Sequence, residues 1–235
     1  MQSKPDESKR NLIALFLQHV DSNVNPQFLR DVVMGFLIAG RDTTAQTLSW
    51  CLYCINDRPE IYQRLQDELQ DQLQRMTAPT IDQVQSLVFM EAVLKETLRL
   101  YPPVPFNWKT AIEDTTLSDG TRIPKGTSVA FPSYALGRMT TVWGPGALMF
   151  KPGRWLNEKT GKLRQVSPFQ FPAFHAGPRI CLGRNLALLE MKLVLVGLLS
   201  HGLKIDLEPG QPVTYGSGIT LPLKPGLLGR VRASI

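Results

Sequence analysis

One cysteine in a glycine-punctuated loop is the residue of this chain best placed to do chemistry. Phe174-His175-Ala176-Gly177-Pro178-Arg179-Ile180-Cys181-Leu182-Gly183 runs directly into an apolar, helix-forming segment. Glycines on both sides of Cys181 let the backbone approach a flat ligand closely. A helix N-terminus behind the sulfur supplies unpaired N–H groups and positive potential that favour a thiolate, the form that attacks or ligates. Arg179, two residues earlier, can pair with a carboxylate. The plain structural alternative is a buried free cysteine before a helix, which is common. His175 invites a Cys–His nucleophile, but no orienting Asn or Asp follows at a telling position. Cys51 and Cys54 have half of a redox or zinc spacing, yet no second pair exists and Trp50, Leu52, Tyr53 and Ile55 surround them, so they read as core. His19 and His201 have no nameable partners.

Two other constellations carry charge or hydroxyls. Glu96 and Arg99, spaced i and i+3, share one helix face and can pair. Leu94, Leu98 and Leu100 make that helix apolar, so a buried pair with a third partner is expected, and the family resemblance that these motifs carry adds a second arginine, Arg154 of Pro152-Gly153-Arg154-Trp155. Two arginines about one carboxylate leave a positive charge that buried carbonyls must balance. This is a fold-holding element. Ala39-Gly40-Arg41-Asp42-Thr43-Thr44 sits in the middle of a long helical pattern. Gly40 costs about 1 kcal/mol there relative to alanine, and a threonine hydroxyl bonding back by four residues loosens the ladder. The pattern places an acid and a hydroxyl beside a local weakness.

These residues must be held by a helix-rich scaffold. A short helical pattern lies around Asn11–Val20. Asn25-Pro26 signals a helix start, and that helix runs to about Asn56, ended by Asp57-Arg58-Pro59. The next runs from Pro59 to about Arg75 with Ile61, Leu65, Leu69 and Leu73 inward. Thr77-Ala78-Pro79 is a linker, and Thr80-Ile81-Asp82-Gln83 opens a helix reaching Leu100, stopped by Tyr101-Pro102-Pro103-Val104-Pro105. From there to Arg179 the chain is strand and loop, with a turn at Ile123-Pro124-Lys125-Gly126 before Thr127–Phe131. A buried helix at about Arg184–Gly202 and a small hairpin region with turns at Pro209-Gly210 and Gly216-Ser217-Gly218 complete it. The fold class is mainly α with minor β.

The 235 residues, 43% hydrophobic, suffice for a sizeable core, and the net charge of +6 is scattered without a basic run, so no nucleic-acid arm is expected. Three cysteines cannot build a secreted disulfide framework. No uninterrupted apolar stretch is long enough to span a membrane, and the polar first ten residues hold no signal core.

Phe-x-x-Gly-x-Arg-x-Cys-x-Gly closely resembles the haem-ligand signature of the cytochrome P450 family, with every fixed position filled. Glu96-x-x-Arg99, the Pro152–Trp155 segment, Ala39–Thr44 and Tyr101–Pro105 resemble further family motifs in the family's order and approximate spacing, as do Ala135-Leu136-Gly137-Arg138-Met139 and Val142-Trp143-Gly144. Gly144-Pro145-Gly146 stands where an acidic pair is usual. The resemblance implies thiolate-ligated haem b (iron protoporphyrin IX), with Cys181 the metal ligand and Gly40, Lys109, Phe174, Gly177, Arg179 and Gly183 at the cofactor. Lys109 would stand where an arginine often meets a propionate, as a point charge rather than a fork. Asp42 and Thr43 would be catalytic, at an oxygen-binding groove, Asp42 relaying protons from solvent.

Residues 1–235 then look like a partial domain, the C-terminal half of the fold, without the N-terminal half and membrane anchor. Arg41 and the Ala176–Arg179 run look most like eukaryotic fatty-acid and alkane ω-hydroxylases. The implied activity is monooxygenation of a lipophilic C–H bond by O2, with electrons from an NADPH-dependent cytochrome P450 reductase docking near Arg179 and Arg184. The implied setting is the cytosolic face of the endoplasmic reticulum membrane, reached through the N-terminal part. The competing expectations are a haem-thiolate isomerase or lyase acting on peroxides, and a truncated chain without activity of its own.

Overall fold

The computed structural model describes residues 25–73, 79–216 and 218–233. The Asn11–Val20 pattern, the end of the second expected helix near Arg75, Thr77-Ala78 and Ser217 lie outside them. Two compact units divide the chain, Met1–Asp42 and Thr43–Ile235.

Helix α1 (Pro26–Asn56) begins in the first unit and ends in the second. Its start is the expected one: Asn25 Oδ1 accepts the Gln27 N–H at 2.9 Å, a local cap ahead of Pro26. Within the first unit Phe28, Met34, Leu37 and Ile38 are exposed. No break occurs at Gly40. Hydroxyl back-bonding recurs along this stretch, where Thr47 Oγ1 donates to Thr43 O at 2.8 Å and Ser49 Oγ to Ala45 O at 2.9 Å.

In the second unit one core gathers four helices. The later turns of α1 bury Thr47, Trp50, Cys51, Cys54 and Ile55, a helical stripe. Helix α2 (Pro59–Leu73) buries Ile61, Leu65, Leu69 and Leu73, as its four-residue period predicts. The helix expected from Thr80 to Leu100 is two helices, α3 (Ile81–Gln85) and α4 (Val88–Leu100). Thr80 and Gln83 form a reciprocal capping box on α3. The break follows because Leu87 takes an extended conformation and is fully buried, while the Ser86 hydroxyl bonds Gln83 O at 2.8 Å. Leu87 cannot cap α4 with its side chain. Glu68 of α2 does so across space, accepting the Phe89 and Met90 N–H groups at 2.6 and 2.8 Å.

Helix α4 buries most of its length, Glu96 and Arg99 included. Arg99 forks onto Glu96 through two 2.8 Å bonds, and Arg154 adds a third at 2.9 Å. Trp155 Nε1 and the Lys151 N–H complete the carboxylate at 2.9 and 2.7 Å. The surplus positive charge meets carbonyls: Arg99 donates to Gly137 O, Ala147 O and Met149 O, and Arg154 to Gly146 O and Met149 O. One buried cluster thereby fixes the loop 137–155 onto α4.

The chain then forms two antiparallel ribbons. Strand β1 (Asn107–Thr110) pairs with β4 (Ser128–Phe131), and β2 (Thr115–Thr116) pairs with β3 (Arg122–Ile123). Short helices α5 (Ser133–Leu136) and α6 (Thr140–Trp143) follow. Helix α7 (Arg184–Ser200) is shorter than expected and only half covered. Leu188, Met191, Lys192, Leu195, Val196 and Leu199 are buried, while Leu186, Leu193 and Val194 are exposed. Lys192 is held by Glu91 and by Gln85 O, each at 2.9 Å. The tail is a nested arrangement rather than one hairpin: β5 (Leu203–Leu207) pairs with β8 (Gly229–Ala233), and β6 (Thr214–Tyr215) pairs with β7 (Leu223–Lys224) between them.

Candidate functional site

The Cys181 loop is closed by its own backbone. A 3-10 turn at Pro172–Phe174 is followed by His175 at φ 65°, a left-handed value costly for a side-chain-bearing residue. Gly177, at φ 69°, then opens a second 3-10 turn through Arg179. The two reversals bring the Cys181 N–H onto Phe174 O at 2.8 Å. Phe174 packs on the hydrophobic core and anchors the loop's near end. Helix α7 anchors the far end, Ala187 N–H bonding Gly183 O at 2.8 Å. No side chain caps that helix at Gly183, and its first amide, that of Arg184, turns back onto Cys181 O at 3.4 Å.

The surroundings of the thiol suit a flat apolar group. Cys181 is exposed, unlike Cys51 and Cys54. A Cβ at Gly177 or Gly183 would meet nothing within 4 Å, so both glycines border open space. Ile180, Leu182 and Leu186 are exposed apolar side chains about the same loop, Leu182 by 85%. The other thiols are chemically quiet. Burial pushes the Cys51 thiol up to about 12 and the Cys54 thiol higher still. Among the described residues no group of three or more His, Cys, Asp or Glu could hold a metal ion.

The structure brings Phe174, Gly177, Arg179, Cys181 and Gly183 together in this one loop. Arg179 is exposed, and no carboxylate pairs with it among the described residues. Nor does a hydrogen bond join His175 to Cys181 among them. Lys109 lies on the β1–β4 ribbon, exposed and opposite Val129. In the first unit, Gly40 has open space about it, and Asp42 pairs with Arg41 at 2.7 Å. The Arg41 hydrogen bond holds the Asp42 carboxyl below its ordinary value. In the second, Thr43 is half-buried on α1. The sequence reading passed over Gln46 and Thr44. Gln46 Nε2 donates to Thr220 Oγ1 at 3.0 Å, and Thr44 Oγ1 is buried without a partner among the described residues. The partner lies far down the chain, so no local spacing announces it.

Residues 1–228 match the family model described as Cytochrome P450. The chain is 38% identical to cytochrome P450 CYP94D109 of Paris polyphylla over 98% of this chain and 46% of that protein. It is 37% identical to alkane hydroxylase MAH1 of Arabidopsis thaliana over 86% of this chain and 39% of that protein. A crystal structure of a cytochrome P450, CYP102L1, superposes with a TM-score of 0.82 at 25% identity, over 95% of this chain and 50% of that one. The chain thus spans less than half the length of these curated relatives.

Proposed function

The chain belongs to the cytochrome P450 family, and from that premise we propose that it carries the haem-ligating part of a monooxygenase. The reaction would insert one oxygen atom of O2 into an unactivated C–H bond of a lipophilic substrate, a fatty acid or alkane-like chain. The observation that carries this reading is the exposed Cys181 thiol in a loop closed on Phe174 and set at the uncapped end of α7. Haem b, when bound, supplies the iron that activates dioxygen, and a thiolate ligand favours O–O cleavage.

The chain's own residues do the holding and proton handling. Cys181 Sγ would be the ligand, presented at the start of α7. Gly177 and Gly183, with open space about them, would let the loop backbone approach the group, and the exposed Ile180, Leu182 and Leu186 would offer it apolar contact. Arg179 and Lys109 offer positive charge to carboxylate groups of the cofactor. Asp42 is open to solvent, the position its proposed role as a proton relay requires. The Thr43 hydroxyl is assigned to the dioxygen side of the site. Exposed Arg179 and Arg184 suit an acidic electron-donor surface, that of an NADPH-dependent reductase. No helix among the described residues is long and apolar enough to cross a membrane; the endoplasmic reticulum setting rests on the relatives' family alone.

The test is the reduced, carbon monoxide-bound absorption spectrum of the haem-reconstituted protein. A thiolate-type Soret band is expected, and Cys181→Ser is expected to remove it. A band that persists in the variant refutes the ligand assignment.

A further inference from the structure

Residues 156–171 form a loop that is held at both ends and bare in its middle. At its start Leu156 bridges Leu163, and the Arg164 N–H bonds Trp155 O at 2.7 Å. At its end Phe171 packs edge-on against Trp155, ring centroids 4.7 Å apart. The Gln170 and Phe171 N–H groups bond Ser167 O there at 2.9 and 3.0 Å. Between these anchors the N–H groups of Gln165, Val166 and Ser167 make no backbone hydrogen bond among the described residues. Val166 packs on the core, while Arg164, Gln165, Ser167 and Pro168 are exposed. The Ser167 hydroxyl accepts the Phe169 N–H at 3.3 Å, and its own proton has no acceptor among the described residues. A second protein can therefore grip this segment without breaking a strand ladder or opening the core.

The sequence singles out the same serine. Of the 18 prolines in the chain, Pro168 alone follows a serine or threonine, and Arg164 lies three residues before Ser167. Thr44 and Thr141 also follow an arginine by three residues, but neither precedes a proline. A proline after the reacting residue offers no N–H that a kinase groove must satisfy. It also biases the residue before it toward extended backbone, the form in which kinases hold their substrates.

A charged cleft adjoins the segment. About 840 Å³ in volume and open to solvent, it is lined by Lys151, Arg154, Lys159 and Arg164, with Glu158 its single carboxylate. Glu96 holds Arg154, whereas no ion pair engages Lys151, Lys159 or Arg164 among the described residues. Three free cations against one carboxylate leave a surplus of two positive charges. Arg164 spends one donor on Arg154 O at 3.1 Å and keeps the rest of its fork for an anion.

We propose that Ser167 is a phosphorylation site for a proline-directed protein kinase, and that the phosphate pairs with Arg164 and cancels the surplus charge of the cleft. The γ-phosphoryl group of ATP passes to Ser167 Oγ. The new P–O bond forms as the bond to ADP breaks, and the hydroxyl proton goes to the base of the kinase. The product carries about −1.5 to −2 charges at neutral pH. The site lies outside the Cys181 loop and stands whether or not haem is bound.

The test incubates the folded 235-residue chain with ATP and a purified proline-directed serine/threonine kinase, followed by peptide mass spectrometry. One phosphate per chain is expected, on Ser167, with the melting temperature kept and none gained by Ser167→Ala. A chain that accepts no phosphate, or accepts it only after denaturation, overturns the site. Labelling of Ser167→Ala equal to that of the parent does so too. Phosphorus NMR titration reads the pairing. The phosphate is expected to hold its second proton at least threefold less tightly in the parent than in Arg164→Gln. Equal proton affinity in the two overturns the contact with Arg164.

Discussion

The three cysteines of the chain show how environment separates residues of one type. Cys51 and Cys54 lie in the apolar face of α1, where loss of hydration opposes a thiolate more than the nearby Arg58 and Arg138 favour one at Cys54. Cys181 faces solvent on a loop whose backbone has been reversed twice to put it there. Iodoacetamide at pH 8 is accordingly expected to label Cys181 in the native chain. Cys51 and Cys54 should be labelled only after denaturation, a difference read by peptide mass spectrometry. Equal labelling of all three would contradict the burial described. Thr43→Ala, in haem-loaded protein, is expected to release more peroxide per NADPH consumed while the carbon monoxide band is kept. Unchanged coupling would remove Thr43 from the distal role proposed for it.

Between residue and fold, the energetics concentrate on α4. Glu96 accepts from two arginines, one indole and one backbone amide, all but Arg154 and Lys151 fully enclosed. Removing one partner of a buried ionic cluster leaves uncompensated charge, so Glu96→Gln should cost about 3–5 kcal/mol in a denaturant melt. A loss within ~1 kcal/mol would mean that the cluster is solvated like a surface pair. Gly137 is a less obvious member. A Cβ there would fall 2.1 Å from Arg99 O, so Gly137→Ala should lower the melting temperature by forcing α4 and the loop apart. Two carboxylates near the other end of α4 respond oppositely to pH. Burial raises Glu68 above its ordinary value despite the two amides it caps, so its contribution is complete in acid and fades as pH rises through the folded value. Burial also opposes ionisation of Glu91, but Lys95 and Lys192 outweigh it and lower the value. The Glu91 contribution is therefore present above the ordinary carboxylate range and is lost as pH falls through the folded value. Glu91→Gln should flatten the acid limb of stability against pH, below pH ~4.5.

For the molecule as a whole, the decisive question is the source of oxidising equivalents. Oxygen insertion from O2 consumes two electrons from outside, whereas rearrangement of a lipid peroxide consumes none. Turnover is expected to stop when the reductase and NADPH are left out. Product that continues to form from a lipid hydroperoxide under those conditions would assign the chain to isomerase or lyase chemistry. The scaffold offers one large helical core in its second unit and small ribbons around it, and its superposition on a solved cytochrome P450 extends over nearly all of the chain. The half-exposed α7, with Leu186, Leu193 and Val194 open, belongs to the same pattern of a core covered on one side.

Short-range spacing was enough to read much of this. The Cys181 loop, the Asn25-Pro26 start, the capping box at Thr80 and the inward stripe of α2 are set within a few residues, where backbone sterics and helical period act. The Glu96–Arg99 pair followed from i, i+3 geometry, and Arg154 from the resemblance of Pro152–Trp155 to a family motif. Tertiary structure alone decided what depends on groups far apart in the chain. The break at Leu87 reflects a side chain drawn into the core, which the apolar pattern of residues 80–100 conceals. The bare N-terminus of α4 is capped by Glu68 from another helix. The carbonyls around Arg99 come from a loop some 38 to 50 residues later, and the Thr220 hydroxyl meets Gln46 from 174 residues away. Backbone carbonyls and a lone amide carry no signature of their own in sequence; folding gives them a role by burying them where only one partner can be reached.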